Sequence, residues 1–340
     1  MLLADDLTII VVTYNSMKVF PEFISSLHFS LKYEKCSIIV IDNNSQDNIE
    51  KFINESHPNV KFLKNNKNEG YGAAINRGIV EAKTAFVAIM NPDVIVEEGG
   101  FIELVNFLKE NKSAAAVSGA LFHRKNFTKN IDFDEFRKKN KFSVNLKFLK
   151  LIYRALYYSG IKTRFRRLKF LSPWSLVSPQ DSIKVARLNG SFGVFNRKAL
   201  TEVNLFDSRL FLYFEEDDIA LRLMKAGYSL FVTNRTIIIH TPGKGSLQSA
   251  DIITDKILLN SQYIFFKKHH GILYAWISFI TIWSIITAVV IYQLIFNYKE
   301  SNKTTQLWKW HFQSFIKCGG LPKATIPDGG KEGVNYTWRF

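Results

Sequence analysis

Cysteine is almost missing from this chain. Cys36 and Cys318 are the only two among 340 residues, and two cysteines cannot build a disulfide framework. Cys36 leads into an apolar run and reads as a small buried residue. The opening Met1-Leu2-Leu3-Ala4-Asp5-Asp6 lacks both the basic and the apolar part of a secretory signal, so a cytosolic chain is expected. Apolar residues make up 47%, an ordinary share that excludes a polytopic membrane protein. Acids are scarce, 30 against 45 Lys and Arg, which leaves a net charge of +15. The excess is local, since 17 Lys/Arg face 4 Asp/Glu between Arg124 and Arg187. That stretch carries no recognisable nucleic-acid-binding motif, so no nucleic acid is expected as a partner.

Apolar, β-branched runs at Leu7–Val12, Ser37–Ile41, Val60–Leu63, Ala85–Met90 and Ala114–Ser118 read as buried strands. Helical patterns lie between them, at Val19–Leu31, Ile49–Glu55, Ala73–Ala82 and Phe101–Lys109. Strands and helices alternating at this spacing predict a doubly wound α/β fold with a mostly parallel sheet. The rhythm is lost over 124–187, a basic and aromatic stretch read as a helical insertion. It returns at Leu188–Phe195 and ends near Thr236–His240. The expected divisions are 1–123, 124–187, 188–266, 267–318 and a Gly- and Pro-rich, loosely ordered tail, 319–340.

Within that frame, acids follow the ends of strands, where open α/β sheets bind ligands. Asp42 closes one apolar run, either accepting a hydrogen bond from a base N–H or forming an Asx turn with Asn43 and Asn44. Asp93 follows another in Asn91-Pro92-Asp93, placed to hold a hard divalent cation through oxygen. His240 ends the last expected strand and becomes a second ligand if the fold brings it beside Asp93. The loop Asn68-Glu69-Gly70-Tyr71-Gly72 opens a helix, where Arg77 reaches a phosphate or the small residues merely pack. Glu215-Glu216-Asp217-Asp218 places four carboxylates in a row. Asp218 and Arg222, four apart on a helix, pair with each other and free Glu215 and Glu216 to face a site. A carboxylate crowded by like charge suits a general base.

Gly271–Phe296 holds no charged residue in 26 positions, enough at about 1.5 Å per residue to cross a hydrocarbon core or to lie in it. Trp308, Trp310, Phe312 and Phe315 are placed for an interfacial belt. The basic stretch and this segment together predict contact with an anionic membrane.

Thr13-Tyr14-Asn15, Asp42-Asn43-Asn44-Ser45, Asn68-Glu69-Gly70-Tyr71-Gly72, Asn91-Pro92-Asp93, Leu188-Asn189-Gly190-Ser191-Phe192 and Tyr213-Phe214-Glu215-Glu216-Asp217-Asp218 occur together and in order. The chain resembles family 2 glycosyltransferases over residues 7 to 245, and is most similar to their rhamnosyltransferase-like branch. The resemblance implies a GT-A fold and inverting transfer from a UDP- or dTDP-linked sugar to a glycan or lipid-pyrophosphate-linked acceptor. That work belongs to bacterial surface polysaccharide synthesis at the cytoplasmic face of the membrane. It assigns the donor to Thr13, Tyr14, Asn15, Asp42, Asn44, Gly72, Asn76, Arg77 and Asn91, and Mg²⁺ or Mn²⁺ to Asp93 with His240. Asn189, Gly190, Ser191 and Asp218 shape the acceptor pocket, and catalysis falls to Glu216, with Glu215 and Asp217 beside it. Two departures stand out. An amide, Asn91, replaces the first acid of the metal motif, and the usual Glu-Asp pair reads Glu215-Glu216, which leaves the base open between Glu216 and Asp217. The alternatives are a sugar-1-phosphate nucleotidyltransferase and a membrane-bound nucleotide-sugar-binding protein without catalysis. The first would need a Gly-rich, basic loop after the first strand, and Thr13-Tyr14-Asn15-Ser16 is not one.

Overall fold

The computed structural model describes residues 3–31, 36–123, 182–241, 252–295, 305–310, 312–313, 326–328 and 331–334. They fall into two compact units, divided between 241 and 252. The first opens with a single helical turn, α1 (Leu3–Asp6), and β1 (Leu7–Thr13). It continues through α2 (Phe20–Ser30), β2 (Ser37–Asp42), α3 (Ile49–Ser56), β3 (Lys61–Lys64), α4 (Tyr71–Glu81) and β4 (Phe86–Met90). After these come β5 (Val94–Val96), α5 (Gly100–Glu110), β6 (Ala114–His123), β7 (Ser182–Val185) and β8 (Phe192–Asn196). The unit closes with α6 (Arg197–Glu202), α7 (Glu215–Lys225) and β9 (Ser229–His240).

All seven residues of β1 are buried, and alternation along it sends them to opposite faces. Leu7, Ile9 and Val11 share a core with Phe20, Phe23 and Leu27 of α2, Ile53 of α3 and Phe101 of α5. Ile10 and Val12 share another with Ile75 and Ile79 of α4 and with Ile219 and Leu223 of α7. A strand covered on both sides must be apolar throughout, which is why Leu7–Val12 reads as an unbroken run.

The sheet has nine strands in the order β3-β2-β1-β4-β8-β6-β9-β5, with β7 also on β9. It corrects the expectation of a mostly parallel sheet. β3-β2-β1-β4 is parallel, as is β6 with β9, but β8 lies antiparallel to both β4 and β6, and β5 and β7 lie antiparallel to β9. A parallel neighbour needs a crossover of a dozen or more residues, usually helical. No helix lies between β7 and β8, and residues 188–191 form a loop instead of the first half of a strand. The expected insertion, 124–187, therefore ends in the main sheet; residues 124–181 lie outside the described residues.

The second unit holds α8 (Ile252–His270) and α9 (Ile272–Ile295), joined at Gly271 with φ of 86°. Leu259, Ile286, Val290 and Leu307 form its small core. Trp308 stacks on Trp283 and Phe312, and its indole N–H donates to Thr287 at 2.8 Å. Phe315 and Cys318 lie outside the described residues. Within the expected loose tail, β10 (Ile326–Asp328) and β11 (Lys331–Val334) form an antiparallel pair. The side chains at 289 and 292–294 are outside the described ones. Among the described residues, no helix is long and apolar enough to cross a membrane, so the expected membrane helix is not seen.

Candidate active site

In the order β3-β2-β1-β4 the chain leaves β1 in opposite directions, and such a switch point opens a crevice at the strands' carboxyl ends. A cleft of about 120 Å³ lies there, lined by Thr13, Tyr14 and Ser16 after β1, by Asn68, Gly70 and Tyr71 before α4, and by Asn91 and Asp93 after β4. Phe211 and Leu212 close it. A second, smaller cavity beside it is lined by Tyr71, Asn189, Gly190, Glu215 and Glu216, so Tyr71 stands between the two. The Tyr71 hydroxyl donates to the Gly190 carbonyl at 3.1 Å. Burial, then the charges of Glu215, Asp93 and Glu216, hold its phenol well above the usual tyrosine range. Positions 93 and 216, far apart in sequence, therefore act on one side chain.

Asp93 and His240 meet because β5 pairs with β9 in a register that sets Val94 opposite His240. His240 Nε2 lies 3.3 Å from Asp93 Oδ1. The contact is not a hydrogen bond, and Asp93 Oδ1 is buried without a hydrogen-bond partner. A buried carboxylate oxygen left open beside an imidazole fits a divalent cation that completes its shell with phosphate oxygens. No group of three or more His, Cys, Asp or Glu arranged to hold a metal occurs among the described residues.

The structure also accounts for the four consecutive acids of α7. Their helix starts from Phe214 in the left-handed region, and its first turn favours negative charge. Glu215 is turned inward, and burial, then Glu216, pushes its carboxyl well above the usual range. Asp218 is fully buried against Arg222, whose Nε and Nη2 donate to Oδ2 at 2.8 and 2.6 Å. Glu216 and Asp217 share Arg187, at 3.1 and 2.6 Å. Glu216 also packs over Gly190, where an added Cβ would meet its carboxyl carbon at 3.6 Å.

Several expected site residues also have partners within the protein. Asp218 belongs to its pair with Arg222 and does not line the pocket. Asn76 brackets the backbone of Phe206, donating to its carbonyl at 2.8 Å and accepting from its N–H at 2.9 Å. Arg77 donates to the Lys64 carbonyl at 2.8 Å and to Asn65, which ties α4 to the end of β3. Gly72 lets α4 approach Phe206, whose Cβ lies 3.3 Å from where a Cβ would stand. Asp42 is buried and accepts from Thr13 Oγ1 at 3.0 Å, from Ser45 N at 2.8 Å and from the Ser45 hydroxyl, the Asx-turn arrangement. Asn15, with φ of 52°, accepts from Gln46 N and donates its own N–H to Ser45 Oγ. Asn44, with φ of 64°, completes that turn. The loop 189–191 is knitted to the metal side by Asn91 N donating to the Ser191 carbonyl at 2.9 Å, and the Ser191 hydroxyl is buried without a hydrogen-bond partner.

Arg187 is a residue that the sequence hides within the basic stretch. Its place two residues before Asn189-Gly190-Ser191 was the available signal. The sequence also hides Tyr71 as a partition and Asn43, whose amide donates to the Gly70 carbonyl at 3.1 Å.

The fold is that of the GT-A glycosyltransferases. Residues 8–170 match the model of glycosyl transferase family 2, which supports a family 2 glycosyltransferase. It is 25% identical over 287 residues to N-acetylglucosaminyl-diphospho-decaprenol L-rhamnosyltransferase from Mycobacterium tuberculosis, in strains CDC 1551/Oshkosh and H37Rv; the match covers 79% of this chain and 86% of the relative. Two solved structures share the fold. GalNAc-T7 with UDP, GalNAc and Mn²⁺ aligns at a TM-score of 0.53 and 12% identity, over 95% of this chain and 59% of that one. The mannosyltransferase PcManGT from Pyrobaculum calidifontis, with GDP-Man and Mn²⁺, aligns at 0.50 and 14%, over 92% and 87%. The protein is a glycosyltransferase.

Proposed function

We propose that this enzyme transfers a deoxyhexose or hexose, with L-rhamnose the leading candidate, from a UDP- or dTDP-sugar, inverting the anomeric centre. The acceptor is a lipid-pyrophosphate-linked glycan at the cytoplasmic face of a bacterial membrane, in surface polysaccharide synthesis. The relative at 25% identity, by name a rhamnosyltransferase of a diphospho-decaprenol acceptor, supports the substrate classes. The observation that carries the chemistry is the placement of Glu216 over Gly190, across Tyr71 from the cleft that holds Asp93.

Thr13, Tyr14, Asn91 and their neighbours hold the nucleotide in the larger cleft. Asp93 and His240 would hold Mg²⁺ or Mn²⁺, which when bound offsets the charge growing on the departing diphosphate. Glu216 takes the proton from the acceptor hydroxyl, whose oxygen attacks the anomeric carbon from the face opposite the leaving group. Glu215 is turned inward, and burial, then Glu216, raises its carboxyl well above the usual range, which favours Glu216 as the base. Glu216 is also the nearer of the remaining two acids to the 189–191 loop.

A panel of UDP- and dTDP-sugars with Mn²⁺ and a lipid-pyrophosphate acceptor tests the reading. Transfer with inversion is expected, and Glu216→Gln should lower turnover by at least about a hundredfold, the usual contribution of a general base. Nucleotide affinity should stay within about twofold, since Glu216 does not line the nucleotide cleft. Turnover near that of the wild type in Glu216→Gln would remove the base assignment.

A further inference from the structure

We infer that Arg187 is a positioning residue for the base: it orients the Glu216 carboxylate toward the 189–191 loop and keeps it ionised, while Asp217 serves as the anchor of Arg187. The inference rests on the reading of Glu216 as the base. It also goes beyond it, because it gives separate tasks to the two acids that the sequence left undivided.

Three observations carry it. Arg187 Nη1 lies 2.6 Å from Asp217 Oδ2 and 3.1 Å from Glu216 Oε1, so the tighter bond goes to Asp217 and the looser one to the group that must work. The Arg187 side chain is 15% exposed and those of Glu216 and Asp217 are 22% and 24%, so the pairs are screened less than surface ones. The third concerns reach. Glutamate is one methylene longer than aspartate, with one more rotatable bond to restrain, and here it is caught between the backbone at Gly190 and a guanidinium.

The charged and titratable groups around Glu216 come from several elements. Arg187 precedes β8, Tyr71 is on α4, Asp93 follows β4, and Glu215, Asp217 and Asp218 share its helix. Burial raises the Glu215 carboxyl well above the usual range, and Asp218 is matched by Arg222. That leaves Glu216 and Asp217 side by side with the Arg187 charge between them. An opposite charge within about 4–6 Å favours the ionised form of a carboxyl by roughly one to three pH units. Without Arg187, Glu216 holds its proton to higher pH and cannot accept another.

The test is the pH profile of kcat/KM for sugar transfer in the wild type, Arg187→Met, Arg187→Lys and Asp217→Asn, with Glu216→Gln alongside. In Arg187→Met the acid limb should move up by about one pH unit or more, so that the loss at neutral pH is largely recovered at alkaline pH. Arg187→Lys should keep the limb near its wild-type place, and Asp217→Asn should lower turnover by less than Arg187→Met. A residue that only supports the fold would lower activity at every pH alike. An unmoved limb in Arg187→Met overturns the inference, as does a raised acceptor KM with unchanged kcat, which would make Arg187 a substrate ligand. Should Arg187→Met fail to fold, Arg187→Gln decides by the same criterion, because it too removes the positive charge beside Glu216 while keeping a polar side chain. An active Glu216→Gln enzyme instead defeats the base reading. An inactive one with an unmoved limb in Arg187→Met defeats only the role given to Arg187.

Discussion

Glu215 shows how one side chain ties fold to function. It stands at the first position of α7, buried, with Oε2 lacking a hydrogen-bond partner, and burial raises its proton affinity well above that of a free glutamate. A carboxyl whose folded pKa lies above its unfolded value stabilises the fold fully below the unfolded pKa, and the contribution is lost as pH rises through the folded one. The wild type should therefore lose thermal stability on going from pH 5 to pH 8, and Glu215→Gln, a neutral group of the same shape, should lose less. Melting temperatures of the two proteins at both pH values check this, and parallel curves would show that Glu215 ionises freely. His57 adds an opposite slope. Burial and the neighbouring His28 lower its pKa, so its share of stability is present above the unfolded value near 6.5 and shrinks as pH falls below it.

At the scale of elements, the seam between the Asn68–Gly72 turn and the 206–215 segment does the positioning. Gly70 has φ of 90°, and a Cβ there would lie 2.6 Å from the Phe211 carbonyl oxygen and 2.9 Å from its Cα, both backbone atoms that cannot step aside. The next residue donates its N–H to that same carbonyl at 2.8 Å. Gly70→Ala combines a left-handed strain of about 1–3 kcal/mol with that clash. It should lower the urea midpoint clearly and reduce nucleotide binding, because Gly70, Tyr71 and Phe211 all line the cleft. Gly72→Ala crowds the Phe206 Cβ at 3.3 Å, with Asp207 O and Glu215 Cβ at ordinary contact distances of 3.7 and 3.8 Å, and should be the milder change in the same titration. The same seam explains what could be read in the sequence. The apolar runs of β1, β2 and β4 and the helices between them were legible because burial on both faces writes an unbroken pattern. The acids at 93 and 216 were legible because they follow those runs or open a helix. What escaped is set by pairing between distant segments. The three residues of β5 carry no pattern of their own, yet their register brings Asp93 to His240. Asn76 and Arg77 belong to a helix-opening motif that looks built for phosphate, and only the fold shows their hydrogen bonds going to Phe206 and Lys64.

Across the whole molecule, the proposed lipid-linked acceptor requires the enzyme to work at a bilayer, and α9 offers a face for it. Leu273, Ile277, Ile280, Ile291 and Ile295 are each about half exposed or more and follow one another at near-helical spacing. Ala275, Phe279, Ile286 and Val290 of the same helix are buried. A helix with one covered face and one open apolar face suits burial in the plane of a membrane rather than passage across it. Lys267 and Lys268 lie in the last turn of α8 just before it, and their positive charge favours anionic headgroups. The full chain should float with vesicles that contain anionic lipid, and less well at high salt. Ile277→Glu/Ile280→Glu removes two side chains that would each contribute about 1.5–3 kcal/mol on burial, so flotation should fall more than tenfold. Transfer to a short, water-soluble acceptor should stay unchanged, since neither residue lines the cleft. Equal flotation of the two proteins would assign membrane contact to some other surface, whereas loss of both activities would point to a damaged fold, which far-ultraviolet circular dichroism of the variant would reveal.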